Sequence, residues 1–273
     1  MFSEGSRAGG SGRGRPRVTV VVPAMNEARN LPFVAERFPA GGIDEIVLVD
    51  GNSTDETVDV ARGLWPGVVV VQQTRRGKGN ALACGFEAAT GDIIVMIDAD
   101  CSTDPAEIPA FVEALTDGAD YAKGSRFLPG GGSADLTRWR RVGNHGLNAL
   151  VNRVFGTGFT DLCYGYNAFW RHCLPVMQLP DTGLADAQWG DGFEIETLIN
   201  TRVARSGLTV AEVPSYEAAR LFGTSNLSAT RDGLRVLKTI IDERRHQPVA
   251  PVPAVGRDAD RDALAAAAPQ RDR

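Results

Sequence analysis

Short apolar runs that alternate with helical segments constrain the fold of this chain more than any other feature. The runs are VTVVVP (18–23), IVLVD (46–50), VVVVQ (68–72) and DIIVMID (92–98), and helical patterns separate them over about 30–38, 53–64 and 79–89. Strands that are apolar at nearly every position are buried on both faces, which is typical of a parallel sheet covered by helices. The sequence therefore predicts an α/β fold with a mostly parallel central sheet and helices on both faces. Within it, the capping-box pattern Ser53-Thr-Asp-Glu56 predicts the start of the second helix.

The second half of the chain has a less regular pattern. Helices are predicted over 140–155, 194–206 and 227–245, with strands at 121–125 and 208–214. A length of 273 residues favours one large domain. We expect that domain to span 17–246, between a Gly/Ser/Arg-rich disordered tail at 1–16 and a Pro/Ala-rich disordered tail at 247–273.

Composition excludes several classes of protein. The 29 basic and 34 acidic residues give a net charge of −5, so a nucleic-acid partner is not expected. The four cysteines form no C-x-x-C pair, which disfavours a disulfide scaffold or a zinc site and fits a reduced cytosolic setting. No apolar run is long enough to span a bilayer. We expect a cytoplasmic protein, soluble or peripheral at the inner face of the plasma membrane, and nothing in the sequence indicates its oligomeric state.

Polar segments follow each of the four predicted strands. They are PAMNE (23–27), DGNSTD (50–55), TRRGKG (74–79) and DAD (98–100). Ligands of open α/β sheets bind beyond the carboxyl ends of the strands. These segments therefore predict one ligand site along that edge of the sheet.

Asp98 and Asp100 carry the clearest chemistry in these segments. They flank Ala99, so on an extended chain their carboxylates point the same way and need a shared cation. Mg²⁺ or Mn²⁺ suits two carboxylates completed by phosphate oxygens. The alternative is that an acid here only caps the helix predicted at Pro105, but Thr103 or Asp104 suffices for that cap.

The other candidates each have a structural alternative. Asp50 ends a buried strand, where a carboxylate can bind a ribose or a base, although the turn that follows explains its neighbours. The loop RRGKG (75–79) is either a solvated basic loop or a phosphate contact, and it lacks the P-loop spacing. Arg126 and Arg141 could bind a phosphate through bidentate hydrogen bonds, or could be solvated. Asp191 and Glu194 open a helix, where the dipole favours acids, and either could instead act as a general base.

Taken together, the motifs resemble those of family 2 glycosyltransferases of the GT-A fold, with a layout closest to dolichyl- or polyprenyl-phosphate mannose and glucose synthases. The resemblance runs from about Val18 to Leu227. It rests on VVPAMNEARNL, VLVDGNSTDET, TRRGKGNAL, IIVMIDADCSTDP, GSRF, DLCYGYNAFWR and EVPSYEAARLFGTSNL. It implies an inverting transfer of a hexose from a GDP-mannose or UDP-glucose type of donor to a polyprenyl phosphate at the membrane surface.

The resemblance also implies a role for each matching residue. The nucleotide and its sugar would be bound by Pro23, Asn26, Glu27, Asp50, Lys78, Asp98 and Asp100, with Mg²⁺ or Mn²⁺ on the last two. Arg126 and Arg141 would bind the acceptor phosphate, and Asp191 and Glu194 lie where inverting members place an acid. Two positions depart from the family pattern: Ser102 stands where a Gln is frequent, and the segment RLFGTSN (220–226) lacks the family's final Lys.

Three other functions stay open at this point. A glycosyltransferase that acts on a hydroxyl acceptor would need Asp191 or Glu194 as its base. A sugar-1-phosphate nucleotidyltransferase would need a Gly-rich loop after the first strand, where this chain has PAMNE (23–27). A non-catalytic nucleotide-binding module would have little reason to keep Asp98 and Asp100 together.

Overall fold

A computed structural model describes residues 15–223 and 229–245. The strands are β1 (Val18–Ala24), β2 (Glu45–Asp50), β3 (Val69–Gln72), β4 (Ile93–Met96), β5 (Tyr121–Ser125), β6 (Gly132–Ser133), β7 (Asn167–Trp170), β8 (Val210–Pro214) and β9 (Tyr216–Glu217). The helices are α1 (Leu31–Glu36), α2 (Thr57–Leu64), α3 (Lys78–Ala88), α4 (Ile108–Thr116), α5 (Arg138–Phe155), α6 (Leu174–Met177), α7 (Ile195–Arg205) and α8 (Ala229–Arg245). Short 3₁₀ turns precede α4 and α6, at Pro105–Glu107 and Arg171–Cys173.

The central sheet has seven strands in the order β3-β2-β1-β4-β7-β5-β8. All neighbours pair in parallel except β7, which runs antiparallel to both β4 and β5. Strands β6 and β9 form a separate two-stranded ribbon. The predicted α/β fold with a mostly parallel central sheet is confirmed.

Two apolar layers cover the sheet, because its central strands present side chains to both faces. One layer packs α1, α2 and α4 on side chains such as Val20, Leu48 and Val95. The other packs α3 and α7 on side chains such as Val21 and Met96. A third, smaller cluster joins α5 to α8. The helices therefore lie on both faces, as predicted.

Strand register aligns the carboxyl ends that carry the predicted site. Ala24 lies opposite Asp50 across β1 and β2, and Val21 lies opposite Met96 across β1 and β4. The segments after these strands thus leave the sheet at the same edge.

Three local predictions are wrong. Strand β4 ends at Met96, so Asp98 and Asp100 lie in a turn rather than on a continuing strand. Helix α2 begins at Thr57 and not at Ser53, because the Ser53 hydroxyl accepts a hydrogen bond from the backbone N–H of Asn26 (2.9 Å) instead of capping a helix. Strand β3 forms a sheet edge, so its apolar side chains are largely half-exposed.

Most of the predicted tails lies outside the described residues, and the division into two tails and one domain stays a prediction. Within the described ranges, no helix combines the length and hydropathy needed to cross a bilayer.

Candidate active site

Asp98 and Asp100 lie in a tight turn after β4. The Asp98 backbone N–H donates to the Thr103 hydroxyl (3.2 Å), and one Asp100 oxygen accepts the backbone N–H of Ser102 (2.9 Å). Cys101 adopts a left-handed conformation (φ 68°), which lets the chain reverse direction there. The turn holds both carboxylates at the edge of the sheet, half-buried.

Lys78 neutralises Asp98 from the first turn of α3. Its Nζ atom lies 2.7 Å from Asp98 Oδ1 and 2.8 Å from Oε1 of Glu196, a buried residue of α7. Burial alone would lower the pKa of Lys78, but the two carboxylates raise it above its usual value. The amine is therefore a fixed positive charge at the bottom of the site.

Arg220 neutralises Asp100 from the other end of the chain. Its Nη1 lies 2.9 Å from Glu27 Oε1, and its Nη2 lies 2.7 Å from Asp100 Oδ2. Burial raises the pKa of Glu27 above its usual value, although Asn30 and Arg220 act in the opposite direction. A guanidinium thus stands between two carboxylates of the strand-end loops.

The segment that carries Arg220 is attached to the loop after β1. Asn30 accepts the backbone N–H of Phe222 (3.1 Å) and donates to the Phe222 carbonyl (3.2 Å). The Arg29 guanidinium stacks on the Phe222 ring, 4.1 Å from its centre. Arg220 is therefore placed by its neighbours and not only by its own ion pairs.

The loops after β1 and β2 are joined by hydrogen bonds. Asn26, with φ 58°, accepts the backbone N–H of Thr54 at its side-chain oxygen (2.7 Å). The backbone N–H of Glu27 donates to the Thr57 hydroxyl (2.8 Å), and the Asp50 carboxylate accepts the backbone N–H of Ser53 (3.2 Å). Pro23 lies near the end of β1, just before these loops, and is half-buried. The structure brings these predicted donor-binding residues together with Lys78, Asp98 and Asp100.

The glycines of the loop 75–79, which the sequence offered as a candidate phosphate contact, pack against the backbone at 190–191. A Cβ at Gly77 or Gly79 would collide with the backbone carbonyls of Asp191 and Gly190, and the Gly79 N–H donates to the Asp191 carbonyl (2.8 Å). The glycines of this loop therefore allow a close approach of another backbone segment.

Asp191 forms a buried, bidentate ion pair with Arg75. Its two oxygens lie 2.8 Å and 2.9 Å from Nε and Nη2 of Arg75, and Oδ2 also accepts the backbone N–H of Gln188 (2.7 Å). Only 5% of the residue is exposed. Both carboxylate oxygens are therefore engaged by the protein's own donors.

Glu194 is paired in the same way with Arg235 of α8. The two oxygens lie 2.8 Å and 2.9 Å from Nε and Nη2 of Arg235, and Oε1 accepts the backbone N–H of Gly190 (3.0 Å). Burial would raise the pKa of Glu194, but the arginine and the backbone donors lower it below its usual value. A carboxylate stabilised as an anion is a weak general base.

Arg126 lies beneath the surface and holds two carboxylates. Its Nε and Nη2 pair with Asp161 (2.7 Å and 2.9 Å), its Nη1 lies 2.9 Å from Glu217, and its guanidinium packs over the ring of Tyr164 (4.8 Å). Arg141, by contrast, is exposed on α5. No contact between the two arginines is found within the described ranges, so the structure does not join them into one phosphate site.

Five charged residues of these networks were not predicted as site residues. Arg220 had a signal, since it begins the segment RLFGTSN. Asp161 and Glu217 lie in the motifs DLCYGYNAFWR and EVPSYEAARLFGTSNL, and Glu196 lies in an acidic segment. No local signal pairs them or Arg235 with their partners, because each meets its partner only through contacts between distant parts of the chain.

The donor set at the edge fits a divalent cation that arrives with phosphate. No group of three or more His, Cys, Asp or Glu side chains is arranged for a metal within the part of the chain that the structure describes. Mg²⁺ sites commonly use only one or two carboxylates and fill the remaining positions with phosphate oxygens and water. Asp98 and Asp100 meet that description, because they offer hard oxygen atoms and each already pairs with a cationic side chain, Lys78 or Arg220.

Comparisons with known proteins identify the family of this chain. Residues 19–174 match the family described as Glycosyl transferase family 2. Polyprenol monophosphomannose synthase of Mycolicibacterium smegmatis is 32% identical over 246 residues, which cover 84% of this chain and 90% of that protein. Glycosyltransferase AglJ of Haloferax volcanii is 31% identical over 221 residues, which cover 79% of this chain and 68% of that protein.

The solved structures point to the same fold. Glucosyl-3-phosphoglycerate synthase from Mycobacterium tuberculosis, crystallised with Mn²⁺, UDP and glucosyl-3-phosphoglycerate, matches with a TM-score of 0.62 and 24% identity, and the match covers 88% of this chain and 83% of that one. The architecture is therefore that of a GT-A glycosyltransferase. The chain belongs to glycosyl transferase family 2.

Proposed function

We propose that this glycosyltransferase moves a hexose, with inversion, from a GDP-mannose or UDP-glucose type of donor to a polyprenyl phosphate. The observation that carries the proposal is the pairing of both candidate bases, since Asp191 and Glu194 are each held by an arginine. A hydroxyl acceptor must lose a proton to a base, whereas a phosphate acceptor is already anionic. The polyprenol monophosphomannose synthase relative supports the same acceptor class.

The donor occupies the edge formed by the loops after β1, β2 and β4. Pro23, Asn26, Glu27 and Asp50 would bind the base and the ribose, and Asp98 and Asp100 would hold Mg²⁺ or Mn²⁺. When bound, such an ion neutralises charge on the departing nucleoside diphosphate.

Lys78 and Arg220 supply the protein's own positive charge next to the leaving group. Both already form ion pairs with the carboxylates at this edge of the sheet, Lys78 with Asp98 and Arg220 with Asp100. Preorganised cations stabilise charge that develops in a transition state without reorganising during the reaction.

In the transfer, an acceptor phosphate oxygen attacks the anomeric carbon on the face opposite the diphosphate. The new carbon–oxygen bond forms as the bond to the diphosphate breaks, and the electron pair leaves with the nucleoside diphosphate. No proton moves, so the anions Asp191 and Glu194 take positioning roles, holding the segment 188–194 against Arg75 and Arg235.

Arg141 and Arg126 bind the acceptor phosphate in this proposal. The exposed Arg141 can reach a ligand directly. Arg126 can do so only through Nη1, if the phosphate replaces Glu217 there, because its Nε and Nη2 are held by the fully buried Asp161.

Transfer assays with radiolabelled GDP-mannose and UDP-glucose test the proposal. Each donor is offered with a short-chain polyprenyl phosphate and, separately, with the matching polyprenol. We expect label in the lipid only with the phosphate and only in the presence of Mg²⁺ or Mn²⁺. Equal transfer to the polyprenol, or transfer only to a soluble sugar hydroxyl, would overturn the phosphate acceptor.

A further inference from the structure

The N-terminal end of α5 exposes large apolar side chains on the surface of the protein. Trp139 is 85% exposed and Val142 is 63% exposed. They lie three positions apart on a helix and so share one face. A single exposed apolar residue needs no explanation, but a tryptophan and a valine side by side within a basic segment do.

The same helix carries an unusual charge for this chain. Its sequence, RWRRVGNHGLNALVNRVF, contains four arginines and no acid, in a protein whose net charge is −5. Arg138, Arg140 and Arg141 occupy the first turn, where the helix dipole disfavours cations. Helix stability therefore does not explain them, whereas an anionic surface outside the protein does.

Internal ion pairs account for only part of this charge. Arg140 pairs with Asp135 (2.8 Å), but no carboxylate within the described ranges pairs with Arg138 or Arg141. Arg138, Trp139, Arg141 and Val142 together are called the basic face of α5.

Hydrogen bonds connect the segment before α5 to the turn that carries Asp100. Asp100 accepts the Ser102 N–H, and the Ser102 carbonyl accepts the N–H of Ala218 (2.9 Å). One residue earlier, the Glu217 carbonyl accepts the N–H of Ala134 (2.8 Å), a few residues before α5 begins. A short series of hydrogen bonds thus links the site to the start of this helix.

We propose that the basic face of α5 docks on an anionic lipid bilayer and brings the site to the membrane surface. Tryptophan favours the headgroup region because its ring is apolar and its N–H is polar, and arginines next to it bind lipid phosphates. A face with arginine and tryptophan and without acids matches that surface in both charge and polarity. The inference rests on the proposed function in one respect, since a polyprenyl acceptor is itself in the bilayer.

Vesicle binding by the full chain tests the proposal. Sedimentation with phosphatidylcholine vesicles that contain phosphatidylglycerol should capture the protein, and vesicles of phosphatidylcholine alone should capture much less. Arg138→Glu and Trp139→Ala should each lower the partition coefficient about tenfold, and added salt should weaken binding of the wild-type chain. Arg62→Glu, the same charge change at an exposed position of α2, is the matched control and should have little effect.

Tryptophan fluorescence locates the contact. The emission of the wild-type protein should shift to shorter wavelength on anionic vesicles, and Trp139→Phe should retain most of the binding but lose most of that shift. Equal binding to both kinds of vesicle, or binding unchanged by both Arg138→Glu and Trp139→Ala, would overturn the proposal. The proposal would also be overturned if the protein bound no vesicles and formed a dimer that Trp139→Ala dissociates, since Trp139 would then lie in a protein interface.

A water-soluble, short-chain acceptor phosphate separates this inference from the proposed function. Trp139→Ala should transfer to it at the wild-type rate, while its transfer to a long-chain acceptor in vesicles should fall about tenfold. If the wild-type chain is active on the soluble acceptor but does not bind anionic vesicles, the docking proposal is wrong and the function stands. If it binds vesicles through Trp139 but transfers to no polyprenyl phosphate, the function is wrong and the docking stands.

Discussion

Two arginine networks of this protein have the same chemistry and different burial. Arg220 bridges Glu27 and Asp100 with 24% of its side chain exposed, and Asp100 itself is 15% exposed. Arg126 bridges Asp161 and Glu217 with 5% exposed, and Asp161 has no exposure. An ion pair near water can exchange partners with a ligand, whereas a buried pair is costly to break. The first network is therefore suited to exchange partners with a charged donor. In the second, the fully buried Arg126–Asp161 pair is suited to hold the framework, and only the contact with Glu217 can be exchanged.

Removal of one partner from each network should give the largest contrast in stability. Asp161→Ala leaves Arg126 buried without its main partner and should lower the free energy of unfolding by about 3–5 kcal/mol. Arg220→Met removes a more exposed pair and should lower it by less than about 1 kcal/mol. Urea denaturation of the two variants measures both values, and similar losses would break the comparison.

Loss of Asp100 should have the largest effect on activity among the edge residues. Asp100→Ala removes a proposed oxygen ligand of the cation and releases Arg220, so turnover should fall about 10²–10³-fold, as for the loss of a main electrostatic contact. Calorimetric titration with Mn²⁺ and a nucleoside diphosphate should show weaker binding in the same variant. If Asp100→Ala bound the nucleoside diphosphate with normal Mn²⁺ dependence, the assignment of Asp100 as a metal ligand would be wrong.

A buried lysine next to the second network gives a smaller, pH-dependent effect. Burial lowers the pKa of Lys123 from 10.5 to about 8, and its amine donates to the carbonyls of Tyr164 and Gly124. Between pH 8 and 10.5 the unfolded chain still holds this proton and the folded chain has lost it, so this residue's contribution to stability rises with pH. Below pH 8 both states are protonated, and the cost of burying the charge is fully present.

The matched variant Lys123→Met isolates that contribution from other groups, such as the cysteines, that titrate in the same range. The free energy of unfolding of the wild-type chain, relative to that of Lys123→Met, should increase by about 1–3 kcal/mol from pH 8 to 10.5. A difference that does not change with pH would mean that Lys123 does not lose its proton on folding in this range.

The two networks also differ in how far the sequence predicted them. The edge residues follow apolar strands, so the rule for carboxyl ends of parallel strands was enough to predict that Asp50, Asp98 and Asp100 lie at the same edge of the sheet. Arg126 was predicted as a phosphate contact because it follows a predicted strand and arginine binds phosphate through bidentate hydrogen bonds. In the structure it pairs instead with Asp161, which lies 35 residues further along the chain. Its place depends on β7, a short antiparallel strand whose pairing with β4 and β5 comes from distant parts of the chain.

Local signals failed where a tertiary contact competed with them. Ser53 has the pattern of a helix cap, but Asn26 donates to its hydroxyl and the helix starts at Thr57. The glycines of the loop 75–79 resemble a ligand cradle, but Gly77 and Gly79 accommodate the backbone at 190–191. In both cases the residue type correctly indicated a special local role, but the partner was a distant segment of the chain and not the neighbouring helix or a ligand.

The turnover of Glu194→Gln with a polyprenyl phosphate acceptor tests the central claim most directly, because it asks whether the reaction needs a base. Turnover per folded protein, corrected for stability by circular dichroism, should stay within about threefold of the wild type if the acceptor is already anionic, since a general base contributes about 10²–10⁴-fold where one is required. Asp191→Asn, measured in the same way, should behave alike. A fall of about a hundredfold or more in either variant, with the fold intact, would contradict a base-free transfer to phosphate.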